Sequence, residues 1–193
     1  ARGIVDLARG DFVDAEESLE KARQLGPNDP FARAALAAVY RAGKRYDALA
    51  QVLHELSTSL TSRDGRAQAA REHAELLDEH LGDRAGARAA LERMITDRPE
   101  DAEAMLALAK LCERDELWPR AIELRTKAAE LAQTPQKRGE IWMDIARSED
   151  RRGDHKAAIA ALDKAAENNH AGARTQQIRM LRTSGQTEKA LEI

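Results

Sequence analysis

The sequence predicts an all-α fold, a right-handed α-solenoid or superhelix built from about five and a half helical hairpins. Three observations support this prediction: the composition, an internal repeat, and regularly spaced signals for helix starts and stops. Of the 193 residues, 42% are hydrophobic and 34% are charged, but only 3% are aromatic. Alanine therefore replaces the large side chains of an ordinary core, which favours thin layers of closely packed helices.

The internal repeat is marked by a Gly-Asp pair. It occurs at residues 10–11, 82–83 and 153–154, separated by 72 and then 71 residues. The segments that follow each pair also match: "GDFVDAEESLEKA", "GDRAGARAALERM" and "GDHKAAIAALDKA". The aligned apolar positions are Ala15 with Ala87 and Ala158, Leu19 with Leu91 and Leu162, and Ala22 with Met94 and Ala165. A second class of helical segment, such as "RYDALAQVLHEL", lies between these matching segments. The repeating unit of about 72 residues therefore contains one short and one long hairpin.

Each hairpin is predicted to be a helix, a tight turn and a second helix. First helices carry a Leu-Ala pair followed three residues later by a packing residue, as in Leu36-Ala37 with Tyr40 and Leu108-Ala109 with Cys112. Second helices carry apolar residues at steps of four and three, which places them on one helix face. The predicted hairpins cover residues 1–28, 29–62, 63–99, 100–133, 134–169 and 170–193 of a single array over residues 1–193.

Capping and turn residues separate these helices. Asp29 before Pro30 and Thr134 before Pro135 are predicted helix N-caps. Arg-Gly-Asp, the tripeptide that integrin-type receptors read, occurs at residues 9–11 and 152–154. The turn at residues 81–83 keeps Gly-Asp without the Arg. We therefore expect the glycine to provide a left-handed turn and the aspartate to cap the next helix, with no adhesion role.

At these positions the chain resembles tetratricopeptide repeats, which are helix-turn-helix units of about 34 residues. The positions that carry the resemblance are Trp142, Ile145 and Ala146 in one first helix, Leu36, Ala37 and Tyr40 in another, and Gly10, Asp11, Phe12, Ala15, Leu19, Ala22 and Pro27 in a turn and second helix. The alternation of short and long hairpins is similar to that in large bacterial scaffold proteins. Two departures are His73, where Leu is usual, and Gln177-Ile178 in place of Leu-Ala.

The resemblance implies a concave groove lined by first helices, in a non-catalytic protein–protein interaction scaffold or adaptor. First-helix residues projected onto this groove change along the chain from apolar to acidic to basic. The candidate partner-binding residues are Phe31, Ala34, Ala38 and Arg41, then Glu75, Asp78 and Glu79, and finally Lys110, Arg114, Arg147, Arg151, Arg179 and Arg182. An amphipathic or extended segment of another protein, with an acidic stretch at one end, would complement this pattern. The alternative is that these are ordinary solvated helix faces.

Other functions stay open at this point. The array is also compatible with a regulatory module that senses a peptide or ligand, and with an accessory domain of a larger enzyme or assembly machine. Nucleic-acid binding is disfavoured because the formal net charge is −3 and few aromatic residues are available to stack on bases. Tetratricopeptide domains that bind the C-terminal carboxylate of chaperone peptides resemble one another in pairing Lys and Asn on first helices. Here Asn28, Asn168 and Asn169 lie at second-helix ends or in loops, so this binding mode is disfavoured.

No catalytic group, cofactor or metal site is expected. His73 and His80 are seven residues apart, whereas metal ligands on a helix are usually three or four apart. We interpret Cys112 as a small buried hydrophobe, because no His or Asn is placed to activate it. Trp118 and Trp142 occupy signature positions, where packing is the expected role. The glycines are scattered as turn residues, so no phosphate loop is present.

The compartment is weakly constrained. A single cysteine excludes an intrachain disulfide framework, and no apolar run approaches the roughly 20 residues that span a bilayer. The compartment is unknown. We favour a cytoplasmic location without membrane insertion, but the N-terminus is expected to be missing, so the absence of a signal-peptide pattern says little about the compartment. The chain starts within a helical pattern and stops early in a second helix, which indicates that both ends are cut. Exposed terminal repeats would allow self-association.

Overall fold

The computed structural model describes residues 12–26, 29–183 and 185–192. These residues form eleven α-helices and no strand. The helices are α1 (Phe12–Leu25), α2 (Pro30–Ala42), α3 (Tyr46–Ser59), α4 (Arg63–Glu79), α5 (Arg84–Asp97), α6 (Ala102–Arg114), α7 (Trp118–Leu131), α8 (Pro135–Arg152), α9 (His155–Glu167), α10 (Ala173–Thr183) and α11 (Thr187–Leu191). The predicted all-α helical-repeat class is confirmed.

The chain divides into two compact units, Ala1–Met94 and Ile95–Ile193. In the first unit, α1 packs on α2, α2 on α3, and α3 on α4. The core of this unit is built from alanines, leucines and valines of α1 to α4, with Tyr40 from α2. Leu36 and Leu49 are fully buried in it, one from each helix of the α2–α3 pair.

The second unit repeats this arrangement. Consecutive helices pack against each other from α6 through to α11. Leu108, Leu124 and Leu162 are fully buried, one each from α6, α7 and α9. Alanine is the commonest buried residue among those described, as the composition predicts, so helix backbones approach one another closely.

The predicted repeat register is confirmed at its central positions. Ala15, Ala87 and Ala158 are all fully buried, and the three aligned leucines 19, 91 and 162 are buried with them. Ala22 is only partly buried, whereas its counterparts Met94 and Ala165 lie in the core.

The Gly-Asp pairs form the predicted turns. Gly82 and Gly153 have left-handed backbones, with φ of 68° and 87°. Asp83 accepts a hydrogen bond from the Gly86 amide at 2.9 Å, and Asp154 accepts one from the Ala157 amide at 3.0 Å. Each aspartate therefore caps the helix that follows. The pair at residues 10–11 lies outside the described residues.

The short hairpins make the same turn without glycine in the left-handed position. Lys44 and Glu116 have φ of 53° and 57°, while the neighbouring Gly43 has an ordinary φ of −81°. The Arg45 amide donates to the Tyr40 carbonyl at 2.9 Å, and the Leu117 amide donates to the Cys112 carbonyl at 2.8 Å. These hydrogen bonds, each between residues five apart in the turn, hold Lys44 and Glu116 in a left-handed conformation that costs roughly 1 kcal/mol for a residue with a Cβ.

The predicted N-caps also form. Asp29 accepts from the Phe31 amide at 2.9 Å, and Thr134 accepts from the Lys137 amide at 3.2 Å. Within the part of the chain that the structure describes, no helix has both the length and the apolar character needed to cross a membrane.

Candidate functional site

The predicted apolar part of the groove lies on α2 in the first unit. Phe31 is 79% exposed, Ala34 is exposed and Ala38 is partly buried. Arg41 at the end of the same helix is already engaged, because its Nε donates to Oε1 of Glu72 on α4 at 2.8 Å. This ion pair joins the two first helices of the unit and reduces the charge that Arg41 offers to a partner.

The predicted acidic part lies on α4. Glu75 and Glu79 are exposed, but only 9% of the Asp78 side chain is exposed. Oδ1 of Asp78 lies 3.8 Å from Nε of Arg84, at the start of α5. The Asp78 carboxylate therefore faces a cation of its own unit, and the acidic surface consists of the two glutamates.

The predicted basic part lies in the second unit, and all six of its side chains are exposed. We call this set the basic face. It consists of Lys110 and Arg114 on α6, Arg147 and Arg151 on α8, and Arg179 and Arg182 on α10. Arg147 pairs with Asp144 of its own helix at 2.7 Å. Among the described residues, Lys110, Arg151, Arg179 and Arg182 have no ion-pair partner within 4.0 Å, so these four charges are available to a partner.

A buried polar network underlies the basic face. Arg125 on α7 is buried, and its Nη2 donates to Oε2 of Glu113 on α6 at 2.8 Å. Its Nη1 donates to the Ser148 hydroxyl on α8 at 3.0 Å, and that hydroxyl donates to Oε1 of Glu113. Two first helices, α6 and α8, are thereby fixed side by side through one second helix.

The network also sets the charge of the surface above it. Burial alone would raise the pKa of Glu113, but hydrogen bonds from Arg125 and Ser148, with the positive charges of Arg125 and Arg151, lower it below its ordinary value. Glu113 is therefore ionised and its charge is balanced by Arg125. Glu113 lies in sequence between Lys110 and Arg114, but its carboxylate is bonded to Arg125 and therefore offsets the basic face less than an unpaired carboxylate would.

A related network lies in the first unit. Glu55 on α3 accepts from Nε of Arg33 at 2.9 Å and from Nη1 of Arg23 at 3.1 Å. Arg33 also donates to the Ser59 hydroxyl at 2.9 Å. The Glu55 carboxylate on α3 therefore links α1, through Arg23, with α2, through Arg33. Sequence reasoning missed both networks, because their partners come from different helices and follow no local spacing.

The second Arg-Gly-Asp stretch is a turn with internal ion pairs. Nη2 of Arg152 lies 3.1 Å from Oδ2 of Asp154 and 2.7 Å from Oε2 of Glu149. The arginine and the aspartate are paired with each other, whereas an adhesion motif presents them apart on a projecting loop.

His73 is a buried packing residue of α4. Its ring lies 5.4 Å from the ring of His54 on α3. Burial, with smaller contributions from the charges of His54 and Arg93 and against an opposing effect of Asp83, lowers the pKa of His73 to about 4. His80 is exposed, and its ring stacks on that of Tyr46 with the ring centres 4.0 Å apart.

Other residues considered as chemical groups have packing or surface roles. Cys112 is buried within α6. Trp142 is partly buried under Lys164, whose Nζ lies 4.1 Å from the ring centre, and Trp118 is partly buried at the start of α7. Across residues 12–26, 29–183 and 185–192, no group of three or more His, Cys, Asp and Glu side chains is arranged to hold a metal ion.

Comparison with known proteins gives one family-model match and a set of similar solved structures. A family model described as tetratricopeptide repeat matches residues 77–138. No curated protein matches the sequence significantly.

Solved structures share the fold. The crystal structure of MamA protein aligns with a TM-score of 0.64 at 20% identity, over 89% of this chain and 90% of that one. MamA from Desulfovibrio magneticus RS-1, from residue 41 to its end, aligns with a TM-score of 0.58 at 22% identity, over 86% of this chain and 90% of that one. YrrB, described as a TPR protein with an unusual peptide-binding site, aligns with a TM-score of 0.61 at 16% identity, over 91% of this chain and 88% of that one.

Proposed function

We propose that the chain, whose residues 77–138 match the tetratricopeptide-repeat family model, is a non-catalytic tetratricopeptide-repeat module that binds a segment of another protein against its first helices. Two findings support protein binding. The family model matches residues 77–138, and the fold is shared with YrrB, which is described as having a peptide-binding site. A repeat of paired helices presents long, regular surfaces, which suits recognition of an extended or helical segment.

The observation that carries the proposal is the set of available cations on the basic face. Lys110, Arg151, Arg179 and Arg182 are exposed and have no ion-pair partner within 4.0 Å among the described residues. They come from α6, α8 and α10, which are all first helices. Acidic side chains placed along these helices would gain attraction at several positions at once. We infer that the partner segment carries an acidic stretch.

The second unit is the part of the chain that best supports this function. In the first unit, Arg41 is bound by Glu72 and Asp78 faces Arg84, so two of the predicted partner-binding residues are engaged internally. Phe31 remains exposed there and offers an apolar contact. The apolar and acidic residues of the first unit are therefore a weaker basis for partner binding than the basic face.

Selection of peptides tests the proposal. The purified chain is used to select from a displayed library of random twelve-residue peptides, and the Kd of the enriched peptides is measured by fluorescence anisotropy. We expect enrichment of Asp and Glu, and at least a tenfold loss of affinity when Arg151 and Arg179 are both replaced by Glu.

A matched control has the same change in net charge. Arg120 on α7 and Lys156 on α9 are exposed residues of second helices, and both are replaced by Glu. The selected peptides should bind this control with an affinity close to that of the wild type. Enrichment of peptides without acidic residues, or an equal loss of affinity in the two double variants, would contradict the proposal.

A further inference from the structure

One cleft of the second unit combines an available cation with groups that recognise a peptide. It lies between the end of α8, the start of α9 and the length of α10, with a volume of about 510 Å³. We call it the α8–α10 cleft. Its lining residues are Asp150, His155, Gln176, Arg179, Met180 and Thr183. The volume falls in the range of roughly 300–1,000 Å³ that is typical of small-ligand sites, so it can hold a side chain and part of the backbone that carries it.

The charged groups of the cleft are arranged asymmetrically. Oδ1 of Asp150 accepts a hydrogen bond from Nδ1 of His155 at 2.9 Å, so the one carboxylate of the cleft already has a partner. Arg179 lines the same space and forms no ion pair within 4.0 Å among the described residues. The guanidinium is thus the available charge, and its planar fork matches a carboxylate through two parallel hydrogen bonds.

The neutral groups favour a peptide over a free anion. The side-chain amide of Gln176 has no hydrogen bond to the described residues, and it offers both a donor and an acceptor to a passing backbone. Met180 supplies an apolar wall, which can pack against the methylene groups of a long acidic side chain. The Thr183 hydroxyl also lines the cleft, and it donates to the Met180 carbonyl at 2.9 Å.

From this geometry we propose that the α8–α10 cleft binds one acidic side chain, a glutamate for preference, of the partner segment. Arg179 binds the carboxylate, Gln176 binds the adjoining backbone and Met180 packs on the methylenes. The proposal rests on the proposed function and makes it specific, because it assigns one position of the acidic segment to one site. Asp150 opposes the bound carboxylate, so it limits affinity.

The experiment is a titration of the ¹⁵N-labelled chain followed by NMR. The probe is acetyl-hexaglutamate-amide, and acetyl-hexaglutamine-amide is the uncharged control. We expect the glutamate peptide to shift the Nε–Hε signal of Arg179, identified by its absence in Arg179→Gln, and the side-chain amide signals of Gln176. Arg179→Gln should weaken binding about tenfold or more, since it removes a charge-assisted bidentate contact. Asp150→Asn should strengthen binding several-fold.

Arg174→Gln is the matched control, because Arg174 is an exposed arginine of α10 outside the cleft. It should change the Kd less than twofold. Equal weakening by Arg174→Gln and Arg179→Gln would overturn the cleft assignment and leave the proposed function standing. Inorganic phosphate or acetate binding at Arg179 as tightly as the glutamate peptide would show a site for free anions and would also overturn it. If neither the selected peptides nor hexaglutamate bind, the proposed function fails as well.

Discussion

Replacement of His73 by leucine should make the chain more resistant to acid, and the size of the effect follows from burial. The His73 side chain is only 9% exposed, and burial lowers its pKa from 6.5 to about 4. The unfolded state therefore binds a proton at a pH where the folded state does not. Titration of His73 leaves the free energy of unfolding unaffected well above pH 6.5. It lowers that free energy as the pH drops from 6.5 towards 4, and has no further effect below that range.

The magnitude can be worked out from those two values. Between pH 7.5 and pH 4.5, the proton that the unfolded state gains lowers the free energy of unfolding by about 2.5 kcal/mol, at about 1.36 kcal/mol per pH unit. Leucine is the usual residue at this position of the repeats that the chain resembles, and it cannot titrate. The difference in stability between His73→Leu and the wild type should therefore increase by about 2.5 kcal/mol on going from pH 7.5 to pH 4.5.

The assay is urea unfolding followed by circular dichroism at both pH values, for the wild type and His73→Leu. Leu76→Val is the matched control, because Leu76 is a buried residue of the same helix that does not titrate. It should lower stability by about 1 kcal/mol at both pH values. A stability difference between His73→Leu and the wild type that stays constant within about 0.5 kcal/mol would refute the reasoning.

The remaining predictions concern the turns and the buried network. Lys44→Gly should raise the free energy of unfolding by about 1 kcal/mol, because glycine adopts a left-handed backbone without strain. Gly153→Ala should lower it by about the same amount. Apart from the two chain neighbours of Gly153, no residue has a heavy atom within 4 Å of the Cβ that alanine adds, so the expected loss of stability is conformational. An unchanged urea midpoint in Gly153→Ala would contradict this. Arg125→Met should cost about 3 kcal/mol, because it leaves the Glu113 carboxylate half-buried without its cation. Adding Glu113→Leu should recover most of that loss in the same urea titration; no recovery would show that packing, not charge, is responsible.

Much of the fold could be predicted because the repeat imposes the same burial at each aligned position. Ala158 and Leu162 are buried like their counterparts in earlier repeats, and Gly153 has the left-handed backbone that its spacing indicated. These features depend on periodicity and local turn chemistry, and both can be read from one chain. The departure at Gln177 is also accommodated, because the buried amide donates to Asp163 of α9 at 2.5 Å.

The candidate site was harder to predict, because its charge depends on contacts between helices. The sequence places Glu113 among basic residues, and only the structure shows that Arg125 of the next helix balances it. Asp78 reads as an acidic surface residue, yet its side chain is mostly buried beside Arg84. The turn at residues 43–45 was similarly obscured, since the glycine there is one residue before the left-handed position, which Lys44 occupies.

The most direct test of the central claim is a map of where a selected acidic peptide contacts the chain. Amide chemical shifts of the ¹⁵N-labelled protein are followed during titration with the peptide. We expect the largest changes in α6, α8 and α10, around Lys110, Arg151 and Arg179, with second helices α7 and α9 changing little on their exposed faces. Changes concentrated on α7 and α9, or confined to the first unit, would contradict the claim that the basic face binds the partner.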